Sequence, residues 1–185
     1  MHELILGGQK SGKSRTAEAR AAAWLQAAPG HEATLLATAL AGDDEMDRRI
    51  QRHREERAAR VPGLATVEVP QALPEAVQQL ATPQRLLVVD CLTLWLTQLA
   101  MPLHGPAADE AALAAQRSAL CRALAQAAGP VVLVSNEIGL GVAPMSREAR
   151  RFIDALGLLH QAVAATCSRV TLMVAGCELA VKGRA

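Results

Sequence analysis

The octapeptide Gly7-Gly8-Gln9-Lys10-Ser11-Gly12-Lys13-Ser14 concentrates the chemistry of this chain. It fits the phosphate-binding pattern G-x-x-x-x-G-K-[ST] at every fixed position. Glycines at 7, 8 and 12 let the backbone turn with few Cβ clashes, so successive N–H groups can face phosphate oxygens. A loop that runs into a helix N-terminus adds unpaired N–H groups and the positive end of the helix dipole. Lys13 is spaced to reach the β- and γ-phosphates of a nucleoside triphosphate, and the Ser14 hydroxyl to ligate Mg²⁺. Lysine usage points to the same loop. Of 19 Lys plus Arg, only Lys10, Lys13 and Lys182 are lysines, and two of them lie here, where a compact ammonium suits phosphate.

Three other stretches carry candidate groups. Arg85-Leu86-Leu87-Val88-Val89-Asp90 is an apolar run that ends in a carboxylate. In a chain with a phosphate-binding loop, Asp90 stands at the Walker B position and helps hold Mg²⁺. Arg49, His53 and Arg57 recur every four residues and form one stripe on a helix face, with Arg52 and Arg54 beside the histidine. An imidazole among arginines suits a phosphate, and positive neighbours keep it neutral and nucleophilic near pH 7. The same spacing describes a solvated charged face, with Glu55 and Glu56 in i,i+4 pairs, and periodicity alone favours that plainer reading. Ser135-Asn136-Glu137-Ile138-Gly139-Leu140-Gly141 follows another apolar run. It reads either as a loop close to substrate or as a tight turn.

The elements that must position these residues alternate strand and helix. Strands are predicted at Glu3-Leu6, Ala33-Thr38, Ala65-Val69, Arg85-Asp90, Val131-Val134 and Arg169-Ala175. Between them, helices are predicted from Ser14 to Ala28, Asp44 to Ala59, Pro74 to Leu80, Cys91 to Ala100, Asp109 to Ala128 and Arg147 to Thr166. Alternation of this kind builds a mostly parallel sheet with helices on both faces, an α/β fold. Arg147, Arg150 and Arg151 open the last helix against its dipole, which hints at a bound anion or at arginine-rich composition alone.

Composition bounds the rest. A chain of 185 residues suits a single nucleotide-binding domain, 1–185, with a real core. Aromatics make up only 2% of residues, so the core is aliphatic. A net charge of +1 argues against a broad nucleic-acid surface. Cys91, Cys121, Cys167 and Cys177 form no CxxC pair, and the loop begins too early for a signal peptide. No apolar run is long enough for a membrane span. These features together suit a cytoplasmic protein with reduced thiols.

Taken together, the stretches resemble one family: the bifunctional adenosylcobinamide kinase / adenosylcobinamide-phosphate guanylyltransferases of cobalamin biosynthesis. The resemblance is carried by the octapeptide with Arg15, by Asp44-Glu45-Met46 with Arg49-Ile50 and His53-Arg54, and by Asp90-Cys91-Leu92-Thr93-Leu94-Trp95-Leu96. It continues in Val134-Ser135-Asn136-Glu137-Ile138-Gly139-Leu140-Gly141 with Pro144, Ala149-Arg150-Arg151-Phe152 and Ala175-Gly176. It runs from about residue 4 to 182.

The resemblance implies a P-loop NTPase of RecA-like fold, with one antiparallel edge strand, in homotrimers. It implies two reactions. ATP or GTP phosphorylates the aminopropanol hydroxyl of adenosylcobinamide. GTP then guanylylates an enzyme histidine, releasing pyrophosphate, and the GMP passes on to give adenosylcobinamide-GDP. By this likeness His53 is that histidine, which outweighs the solvated face that periodicity alone favours. The nucleotide contacts implied are Gly7, Gly8, Gln9, Lys10, Ser11, Gly12, Lys13 and Ser14, then Ala37, Thr38 and Ala39, Arg54, Glu55, Glu56 and Arg57, and Glu68 and Asp90, with Ser14 and Asp90 at Mg²⁺. One departure lies in Gly157-Leu158-Leu159-His160-Gln161, where the family has Asn at the position of His160. Apart from the resemblance, the loop also admits a small-molecule P-loop kinase without guanylyl transfer, or a nucleotide-dependent regulatory ATPase.

Overall fold

Seven strands form one sheet in the order β3-β2-β4-β5-β1-β6-β7. They are β1 His2–Gly7, β2 Glu32–Ala37, β3 Leu64–Glu68, β4 Arg85–Asp90, β5 Val131–Asn136, β6 Arg169–Val174 and β7 Cys177–Lys182. This computed structural model describes residues 1–40, 51, 55 and 57–183. The helices with full bounds are α1 Lys13–Ala27, α2 Leu73–Leu80, α3 Leu92–Ala100, α4 Glu110–Gln126 and α5 Arg147–Thr166. Of the helix predicted from Asp44 to Ala59, residues 51, 55 and 57–59 are helical and the others lie outside the described residues.

Every pairing in the sheet is parallel except β6 with β7. The central strands β1, β4 and β5 are apolar runs buried on both sides, as parallel strands covered by helices must be. Alternate residues feed two cores. Ile5, Leu35, Val88, Val132 and Val134 meet Ala17 and Ala21 of α1. Leu4, Leu36, Leu87, Val89 and Leu133 meet Leu73, Val77, Trp95, Leu120, Leu124, Leu156 and Val163 from α2 to α5. The imbalance follows from the strand order. The step from β1 to β2 runs one way along the sheet, and those from β3 to β4, β4 to β5 and β5 to β6 run the other way. Right-handed connections that run in opposite directions lie on opposite faces. The reversal leaves the C-terminal ends of β1, β4 and β5 side by side, which is where open α/β sheets form their crevice.

Helix starts are set locally. Asp109 accepts from Ala112 N at 2.7 Å and Ser146 from Ala149 N at 3.3 Å, so each caps the helix that follows it. Gly12, at φ 103°, leads into α1 without a side-chain cap, which leaves the first N–H groups of that helix free for another acceptor.

No strand is predicted from the residues beyond Ala175, and the antiparallel edge strand that the resemblance implies is β7. Ala175 and Gly176, at φ 51° and 82°, form a tight turn between paired Val174 and Cys177. All six residues of β7 are exposed, so no buried periodicity marks it. Backbone pairing with β6 holds it in the sheet, and a charge cluster ties it to β1 and α1. Glu3 of β1 is buried and accepts from Arg20 of α1 at 3.0 Å and from Thr171 of β6 at 2.8 Å. Arg20 also reaches Glu178 of β7 at 2.5 Å, and Arg169 lies 3.3 Å from Glu3 and 3.8 Å from Glu178. Among the described residues, no helix is long and apolar enough to cross a membrane.

Candidate nucleotide site

Register gathers the candidate residues on one edge. Ala37 of β2 pairs with Glu68 of β3 on one side and Asp90 of β4 on the other. Asp90 pairs with Val134, and Gly7 with Asn136 two residues further along β5. The octapeptide therefore leaves β1 beside the carboxylate predicted to sit at the metal.

Within the loop the backbone takes conformations that few residues tolerate. Gly7 has φ 154°, Lys10 54° and Gly12 103°. A Cβ at Gly7 would stand 2.6 Å from both Met173 O and Ser11 Oγ, so only glycine fits there. Lys13 is buried, and its Nζ donates to Gly8 O at 2.7 Å, folding the side chain back across the loop. Burial pushes its ammonium below the usual lysine range, while Cys91 and Asp90 pull it up. Burial, then Asp90, pushes the Cys91 thiol up to about 11, so near neutrality the negative charge facing Lys13 comes from Asp90. The Ser11 hydroxyl is buried with no hydrogen-bond partner among the described residues. A buried cation on a carbonyl, an orphaned hydroxyl and uncapped helix N–H groups together suit a polyphosphate.

Thr38 is fully buried. Its hydroxyl donates to Cys91 O at 2.7 Å and accepts from Cys91 N at 2.8 Å, and its own N–H bonds Asp90 O at 3.2 Å. Its side chain is thus occupied in fixing the backbone that carries Asp90. Among the described residues, no cluster of three or more His, Cys, Asp or Glu could hold a metal. Mg²⁺ makes a lighter demand, since it usually takes one or two protein ligands and completes its shell with phosphate and water, and Ser14 and Asp90 are the candidates on this edge.

A second polar chain runs beside the loop, and its connections are not visible in the sequence. Glu137 N donates to Gly7 O at 2.9 Å. The Glu137 carboxylate accepts from Gly139 N at 2.7 Å and lies 3.6 Å from His160 Nδ1 of α5. His160 Nε2 meets Ser135 Oγ at 2.7 Å, Ser135 meets Thr93 at 3.0 Å, and Thr93 accepts from Asn136 N at 2.8 Å. Burial lowers the pKa of His160, against the pull of Glu137, so the ring is neutral near pH 7. Glu137 and His160 also line a cavity of about 470 Å³ between the end of β5 and α5.

Most of the predicted site residues share one edge. Gly7 to Ser14, Ala37 to Ala39, Glu68 and Asp90 lie on the C-terminal edge of the sheet, with Glu68 exposed. Glu55 accepts from Gln51 Nε2 at 2.8 Å, the i,i+4 pairing of a helix surface. Arg57 is helical and half-buried. His53, Arg54 and Glu56 lie outside the described residues. Of the arginines that open α5, Arg150 donates to Pro144 O at 3.0 Å and Met145 O at 2.6 Å, so it ties down the preceding loop.

Residues 3–181 match the family described as cobinamide kinase / cobinamide phosphate guanyltransferase. The chain is 46% identical over 183 residues to the bifunctional adenosylcobalamin biosynthesis protein CobP of Pseudomonas aeruginosa, covering 99% of this chain and 98% of that one. It is 34% identical over 187 residues to the protein named CobU in Escherichia coli, covering 97% and 98%. Among solved structures, the flagellar accessory protein FlaH of Methanocaldococcus jannaschii aligns with a TM-score of 0.54 at 12% identity, covering 99% of this chain and 78% of that one, a likeness of fold.

Proposed function

This chain belongs to the cobinamide kinase / cobinamide phosphate guanyltransferase family, and from that premise we propose how its residues divide the two reactions. It is a P-loop enzyme of cobalamin biosynthesis with both activities, cobinamide kinase and cobinamide-phosphate guanylyltransferase. The observation that carries the assignment of residues is the set of unmet polar groups at the loop: Lys13 buried on Gly8 O, Ser11 Oγ without a partner among the described residues, and α1 uncapped.

In this reading, residues 1–185 act as one nucleotide-binding unit, since one sheet runs from His2 to Lys182. The N–H groups of Gly8 to Ser14 and the Lys13 ammonium hold the triphosphate, with Lys13 turning from Gly8 O to phosphate oxygen. Ser14 and Asp90 hold Mg²⁺, which screens charge between phosphate oxygens when bound. Thr38 keeps Asp90 in position. Glu68, exposed on the same edge, contacts the ribose or base. In the kinase reaction, the acceptor hydroxyl oxygen bonds the γ-phosphorus as the bridging P–O bond breaks and the nucleoside diphosphate leaves. In the guanylyl reaction, a neutral His53 nitrogen bonds the α-phosphorus of GTP and pyrophosphate leaves; the phosphate of cobinamide phosphate then takes the GMP. Arg54 and Arg57 support this exchange of charge. We further propose a homotrimer in the cytoplasm, by family likeness.

The test is intact mass after incubation with GTP and Mg²⁺, for the wild type and His53→Ala. A GMP adduct on the wild type alone, with one pyrophosphate per adduct, supports His53 as nucleophile. An active, nucleotide-binding wild type without an adduct would leave a small-molecule P-loop kinase as the better reading.

A further inference from the structure

The cavity between β5 and α5 has a mixed lining. Glu137 and His160 are polar, Ile153 and Leu158 are apolar, and Gly139 and Gly157 leave backbone bare. Its volume of about 470 Å³ falls within the range of small-ligand sites. It opens next to the nucleotide loop, because Glu137 is bonded through its N–H to Gly7 O. The Glu137 carboxylate is aimed by Gly139 N and His160, and it retains acceptor capacity toward the cavity. His160, held neutral, leaves that carboxylate without a cation's competing charge.

The mouth of the cavity is apolar. Ile138 and Leu158 are exposed there, and the loop that follows carries exposed Leu140, Val142 and Met145, the last two almost fully exposed at 97% and 96%. Exposed apolar side chains beside a cavity of mixed lining that holds a carboxylate are the surface expected for a ligand with a large apolar body and a polar arm.

We propose that this cavity is the acceptor subsite: it admits the hydroxyl-bearing arm of cobinamide, Glu137 accepts the hydroxyl's hydrogen bond, and the corrin macrocycle rests on Ile138, Leu158 and the neighbouring loop. The inference rests on the cobinamide kinase reading above. A corrin with its amide arms is far larger than the cavity, so the arm enters and the ring stays outside. As the hydroxyl oxygen bonds the γ-phosphorus and the nucleoside diphosphate departs, the hydroxyl proton passes to the Glu137 carboxylate.

Gly157 allows a selective test. A Cβ there meets no atom within 4 Å, so Gly157→Leu fills the cavity without crowding the protein. The full-length protein is compared as wild type, Gly157→Leu and Glu137→Gln. The measurements are cobinamide binding by titration, kinase kcat and KM for both substrates, GMP adduct mass and oligomer mass. Gly157→Leu should weaken cobinamide binding at least tenfold, with adduct mass and nucleotide KM showing an intact nucleotide half. Glu137→Gln should lower kinase kcat at least tenfold with cobinamide binding changed less than threefold. Equal cobinamide binding by wild type and Gly157→Leu would overturn the subsite alone. A changed oligomer mass with unchanged cobinamide binding would overturn it in favour of a contact between copies. A wild type that binds no cobinamide at all would overturn the kinase reading along with the subsite.

Discussion

One buried charge lies at the start of strand β1 and another at the head of α1, and the two are treated in opposite ways. At the start of β1, Glu3 is enclosed by Arg20, Arg169 and Thr171, with Glu178 completing the cluster. Beyond the other end of β1, Lys13 has, among the described residues, the neutral Gly8 carbonyl as its one hydrogen-bond partner, and Asp90 acts on it as a neighbouring charge. A charge whose partners all come from the protein stabilises the fold. A charge buried against a lone carbonyl is costly to the empty protein and becomes favourable when an anion arrives. The contrast marks Lys13 as a candidate functional group without reference to any motif.

Substitutions can break that comparison. Lys13→Ala should lower kinase kcat/KM by about 10³-fold, about 4 kcal/mol of transition-state stabilisation, while the unfolding midpoint stays level or rises. Steady-state kinetics beside calorimetry reads both. A large loss of stability would place Lys13 in the same class as Glu3. Glu3→Ala should do the reverse. Two arginines lose their shared carboxylate, and unfolding in urea should show a loss of about 3 kcal/mol, low in the range for buried pairs because both arginines reach solvent. Nucleotide affinity of the folded fraction should be unchanged, and a matching loss of affinity would show that the two ends are coupled.

Acid should have the smallest effect and act at both ends. His2, next to Glu3, accepts from Val131 N at 3.1 Å through Nδ1, and His160 lies beside Glu137. Burial lowers both pKa values below the usual 6.5. The unfolded chain therefore takes up protons first as pH falls. Stability is full above about 6.5 and declines beneath it. Melting temperature followed from pH 7.5 downward should drop in that window, and His160→Asn should flatten part of the drop. A profile level through the window would mean that neither ring is held neutral by the fold.

The part of this arrangement that is legible in the sequence is the part encoded locally. The octapeptide, the apolar run into Asp90 and the caps Asp109 and Ser146 each lie within a few residues, so type and spacing suffice. Glu137 is marked by its place after an apolar run, but its contact with His160 spans 23 residues of loop and helix. Sequence spacing holds no record of such a contact. Only the unexpected imidazole in Gly157-Leu158-Leu159-His160-Gln161 hints at it. Thr38 is expected among the nucleotide contacts. That its hydroxyl braces the Cys91 backbone depends on β2 and β4 lying side by side. Strand β7 is implied by the family resemblance and not by residue pattern, because a fully exposed edge shows no burial pattern and its turn is Ala-Gly in place of the commoner Asn-Gly.

That turn does more than reverse the chain. Gly176 N donates to Ser11 O at 3.0 Å, so the last hairpin is fastened to the middle of the phosphate loop. On the proposed function, nucleotide on the loop and order in the hairpin should favour one another by one and the same coupling free energy. On that reading strand β7, which carries none of the proposed reacting groups, is a latch on the phosphate loop.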